Sequence, residues 1–105
     1  MDNQTSPKTI AIISYITIIG WMIALIMNNR ERSSLGNFHV RQALGLHLLF
    51  LVARMTPFIL GGAISSILFF ATLTLLIIGI MDAVNEKEKP LPIVGEAFQE
   101  WFKSV

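Results

Sequence analysis

Two stretches of the chain carry no formal charge, nineteen residues from Thr9 to Met27 and twenty-four from Phe58 to Met81. An α-helix rises about 1.5 Å per residue and the hydrocarbon core of a bilayer is about 30 Å thick, so about twenty apolar residues cross it. Both stretches therefore predict transmembrane helices, over about residues 9–28 and 58–81. A third apolar stretch, Ala43 to Ala53, is shorter. It continues backwards through Phe38, His39, Val40, Arg41 and Gln42 without a breaker, and as 38–54 it reaches the low end of a span. The pattern predicts an all-α, polytopic membrane protein with three transmembrane helices, residues 1–105 forming one domain.

Turn-forming residues punctuate these runs. Ser6 and Pro7 read as a helix start, with Ser6 at the cap and Pro7 at the first helical position. The polar connector from Asn28 through Arg30, Glu31, Arg32, Ser33 and Ser34 to Gly36 ends the first span. Met55, Thr56 and Pro57 make a short reversal between the second span and the third. Beyond the third, the charged stretch Asn85 to Lys89 leads into Pro90 and Pro92, which forbid a continuous helix. The chain then restarts with Val94, Phe98, Trp101, Phe102 and Val105 at helical spacing, a short amphipathic helix over about 94–104.

Composition agrees. Hydrophobic residues make up 53% of the chain, charged residues 14%, and the mean hydropathy is +0.64, whereas a soluble domain carries about a quarter charged residues. A net charge of +1, with the cations scattered along the chain, gives no basic face for nucleic acid. The absence of cysteine removes disulfides, thiolate metal sites and cysteine nucleophiles. The first apolar run is longer than the core of a signal peptide and no Ala-x-Ala site follows it, so it reads as a retained anchor.

With three spans, Lys8 and Arg54 share one side of the membrane, and Arg30, Arg32, Arg41, Lys87, Lys89 and Lys103 the other. The excess of cations places the connector and the C-terminus in the cytoplasm and the N-terminus outside.

The second span is the unusual one. His39, Gln42, His47 and Arg54 fall within a sector of about 140° at helical spacing, with leucines opposite. Such a sector turns toward other helices or a water-filled cavity. His47, near mid-membrane, is either a functional group or a neutral histidine bonded to a neighbouring helix, for instance at Ser14, Thr17, Ser65 or Ser66. Arg41 points away from the sector and, like Arg54 at the other end, can snorkel to headgroups. No third ligand accompanies the two histidines, so no metal or cofactor is expected. Gly62 and Ser66 form a small-xxx-small pair suited to close helix packing, within the chain or between copies. Trp21, Phe98, Trp101 and Phe102 suit the headgroup region or a groove, and Asp82 and Asn85 suit a helix end.

The string Phe-His-Val-Arg-Gln-Ala-Leu over 38–44, with the tail from Gly79 through Asn85, Pro92, Gly95 and Phe102, resembles a family of small bacterial membrane proteins labelled Tic-like. That family is distantly similar to the Tic-complex import component of the chloroplast inner envelope. The resemblance implies a multi-pass protein of the bacterial cytoplasmic membrane, with His39, Arg41 and Gln42 as the transferable motif. The reading that follows is a non-enzymatic small subunit or accessory of a larger membrane complex, one that moves polypeptides or other solutes. The alternative is a homo-oligomeric channel or transporter with a pathway lined by His39, Gln42, His47 and Arg54. Paired carboxylates at membrane depth, phosphate loops and nucleophile motifs are absent from the sequence, so no enzyme is expected.

Overall fold

Ser6 and Pro7 start the first helix as their chemistry dictates. In the computed structural model, which describes residues 6–56 and 61–105, the Ser6 hydroxyl accepts from the Thr9 N–H at 3.2 Å and Pro7 opens α1 (Pro7–Ile16). The helix then stops in the middle of the apolar run. Thr17 is extended, and its hydroxyl accepts from the Gly20 N–H at 3.0 Å to begin α2 (Ile18–Glu31). Four β-branched residues in a row, Ile16 to Ile19, form a poor helix interior, and threonine is a good cap.

The chain doubles back at this break. A Cβ on Gly20 would lie 2.7 Å from the Ile13 carbonyl oxygen, and Ile10 and Ala24, equidistant from Thr17, are both fully buried beside Val40. The predicted first span over 9–28 is therefore two helices, of 10 and 14 residues, packed side by side. At about 1.5 Å per residue neither crosses a bilayer.

Arg32, in the left-handed region at φ 48°, ends α2, and Ser33 caps α3 (Ser34–Met55) by accepting from the Gly36 N–H at 2.9 Å. The second predicted span, 38–54, is the inner part of this 22-residue helix. The Thr56 hydroxyl donates to the Val52 carbonyl at its end. α4 (Gly62–Val84) runs back along α3. The third span thus starts at Gly62 and extends to Val84 rather than covering 58–81, and its expected first residues lie outside those described. A tail, 85–94, leads to α5 (Gly95–Trp101), seven residues where 94–104 was expected.

The fold is all-α, with five helices among the described residues, and three transmembrane helices are not what it shows. One described helix, α4, is long and apolar enough to cross a membrane. α3 is as long but carries Arg41, Arg54, His39, His47 and Gln42.

The core gathers at one end of a 51 × 23 × 23 Å molecule. Tyr15 of α1, Leu35, Ala43 and Leu46 of α3, Ala83 of α4, Leu91 of the tail and Phe98 of α5 form one buried cluster. Val105 packs against the second, built on Ile10, Ala24 and Val40. The start of α1, the connector and the C-terminal tail therefore lie together. Beyond Leu46, α3 and α4 continue as a pair that exposes Leu48, Leu51, Val52, Ile67 and Phe70. Only 11% of the most apolar window of α4 is buried, so it is not the core helix of a water-soluble protein. Apolar surface on this scale costs about 25 cal/mol per Å² in water and nothing in lipid. The chain is a membrane protein.

Candidate functional site

At the start of α3, successive turns place His39 and Gln42 on the face that meets α1 and the tail, and both side chains are fully buried. The Gln42 Nε2 donates to the Tyr15 hydroxyl at 2.8 Å, and Gln42 Oε1 accepts from the Leu91 N–H at 3.0 Å. Tyr15 Oη lies 2.6 Å from His39 Nδ1, and His39 Nε2 lies 2.8 Å from the Lys87 carbonyl oxygen.

The partners fix the protons. A carbonyl oxygen only accepts, so Nε2 carries the imidazole hydrogen, and Nδ1 accepts from the Tyr15 O–H. The tyrosine oxygen in turn accepts from Gln42. Each link then has one donor and one acceptor, the histidine is neutral, and the chain of bonds joins α1, α3 and the 87–91 segment. In a low-dielectric interior such a network is strong when complete and costly when a member is missing.

Small residues let the rings approach. A Cβ on Gly79 of α4 would meet the Tyr15 ring at 2.8 Å, and one on Gly45 would overlap the ring of Phe98. Phe98 is thereby seated on α3, while Trp101 remains 70% exposed and Phe102 is half-buried. Gln99 Nε2 donates to the Phe38 carbonyl at 2.8 Å, and Arg41 Nη2 to the Lys103 carbonyl at 2.8 Å, so α5 and the C-terminus are strapped along α3. The Trp21 Nε1 donates to the Val40 carbonyl at 2.8 Å, which makes this tryptophan a tie between α2 and α3.

The remaining residues of the polar sector separate from this node. His47 is half-buried, its Nε2 2.9 Å from the Ser14 carbonyl oxygen, which is the expected residue but its backbone rather than its hydroxyl. Arg54 is exposed. His47 and Arg54 share an apolar cleft of about 590 Å³ beside the α1–α2 break, also lined by Thr17, Leu48, Phe50 and Leu51. Gly62 and Ser66 are exposed, and the contact from this part of α4 to α3 passes instead through Ser65, whose hydroxyl donates to the Ala53 carbonyl at 2.6 Å. Asn85 caps α4 and its Nδ2 donates to the Met81 carbonyl. Among the described residues, no three His, Cys, Asp or Glu side chains converge to hold a metal.

The sequence does not single out Tyr15, although it is the only tyrosine and lies inside an apolar run, where a phenol needs a partner. The pathway expected along the polar sector is not formed, because His39 and Gln42 are buried and hydrogen-bonded within the chain.

Residues 6–98 match the model of the MamF/MmsF family, described as a magnetosome magnetite crystal formation protein family. No curated protein matches the chain, and no solved structure does. The family match runs from the cap of α1 to the ring seated on Gly45, and it overturns the likeness to a Tic-like import component. With that likeness go the translocation subunit and the channel. The His-Val-Arg-Gln string and the tail belong together for a structural reason, since His39 and Gln42 bond the tail at Lys87 and Leu91. The chain belongs to the magnetosome magnetite crystal formation protein family, MamF/MmsF.

Proposed function

We propose that this protein serves magnetite crystal formation as a non-enzymatic membrane scaffold. The observation that carries the reading is the closed set of hydrogen bonds through Tyr15, His39 and Gln42. Both ring nitrogens of the histidine are occupied, and the group is sealed from solvent, which suits holding a shape rather than turning over a substrate. The family description supplies the process.

In this reading α3 and α4 cross the bilayer, and the α1–α2 pair enters the membrane and returns to the face it came from. The extended backbone at Thr17 supports such an arrangement, because irregular backbone at membrane depth is tolerated where protein covers it. Cation placement supports it too. Seven of the eight lysines and arginines then lie at the end that holds the connector and both termini, leaving Arg54 at the other. The N-terminus is cytoplasmic in this topology, the reverse of what three spans require.

Deletion of the gene in its native host tests the function. Electron microscopy of the deletion strain should show membrane-bound crystals that are fewer, smaller or misshapen, restored by the wild-type chain and restored less well by Tyr15→Phe. Unchanged crystals, or a host that forms none, would contradict the reading.

A further inference from the structure

The geometry points to a second, polar site: a cleft between the connector and the C-terminal strap that binds a phosphate group. The cleft encloses about 330 Å³ and is lined by Arg32, Ser34, Asn37, Arg41, Glu88 and Gln99 among others. Two guanidiniums face one carboxylate there, so the lining is net cationic. Glu88 is already engaged, its Oε1 accepting from the Ser34 hydroxyl at 2.7 Å.

Arg41 is held for this task. Its Nη2 donates to the Lys103 carbonyl, which fixes the guanidinium plane, while its buried Nε has no partner among the described residues. A buried donor without an acceptor is rare in a folded protein. Arg32 also lines the cleft, exposed and in the left-handed conformation that ends α2. Asn37 accepts from Asn28 at 2.6 Å through Oδ1, which leaves its own amide nitrogen as a donor. Guanidinium groups, an amide and the start of a 22-residue helix are the donors that a phosphate, with several oxygens and dispersed negative charge, satisfies together.

The same phosphate chemistry has two sources, a lipid headgroup or free phosphate, and binding measurements on the full chain in detergent micelles distinguish them. Calorimetric titration uses inorganic phosphate in one arm, and phosphatidylglycerol against phosphatidylcholine in the other. Saturable binding of about one phosphate group per chain is expected, weakened about tenfold or more by Arg41→Gln and by Arg32→Gln and unchanged by Arg54→Gln at the opposite end. Phosphatidylglycerol alone binding assigns the site to a lipid headgroup, and inorganic phosphate binding as well assigns it to phosphate in general. No saturable binding in either arm, or equal binding by the arginine variants, overturns the proposal. Should Arg41→Gln fail to fold, the exposed Arg32→Gln decides.

Discussion

Tyr15→Phe removes one oxygen and leaves Gln42 Nε2 and His39 Nδ1 without a partner in a sealed interior. Leaving a buried polar group unsatisfied costs about 1–3 kcal/mol, so the midpoint of thermal unfolding in detergent should fall clearly. Thr74→Val, on the exposed face of α4 with its hydroxyl bonded only within its own helix, should change stability by no more than about 0.5 kcal/mol. Equal midpoints for Tyr15→Phe and the wild type would remove the network from the account. Gly45 tests the strap in a different way. Its missing Cβ is the seat of Phe98, so Gly45→Val should push α5 off α3 and speed trypsin cleavage at Lys87 about tenfold or more. Cleavage at the wild-type rate would show that Phe98 is not what holds the tail.

At the scale of elements, much was legible and one misreading had a specific cause. The Ser6–Pro7 start, the polar face of α3, the stop at Asn85 and the restart near Val94 all follow from caps, periodicity and proline chemistry. The first span was misread because hydropathy averages over a window and is blind to a single extended residue. Ile-Thr-Ile-Ile-Gly over 16–20 held the signal: a β-branched run, a capping threonine, and a glycine three residues on where two helices touch. The node itself was half legible. Spacing placed His39 and Gln42 on one face, but their partners are a tyrosine on another helix and backbone groups 48 and 49 residues away in sequence, which no local pattern encodes. Spin labels at Thr9 and Ile26, both exposed, separate the two readings of the first span. A continuous helix would hold them about 26 Å apart along its axis, whereas the folded pair brings their backbones to about 10 Å, the spacing of packed helices. A distance distribution centred on the longer separation would contradict the fold.

At the scale of the whole molecule, the node, the strap and the phosphate cleft occupy one end, and the α3–α4 pair projects from it with apolar flanks. One end is built for specific contacts and the other for lipid, an arrangement that suits a scaffold presenting a fixed polar face from a membrane. That account stands on both termini lying on the same side. The most direct test is accessibility labelling of single cysteines in intact cells, with a membrane-impermeant maleimide, at Ser6, Ser104 and Gly61 of this cysteine-free chain. Residues 6 and 104 should be protected alike and become reactive together once the membrane is permeabilised, while residue 61 reacts from outside. Labelling of residue 6 from outside with residue 104 protected would restore an odd number of crossings and contradict the returning α1–α2 pair.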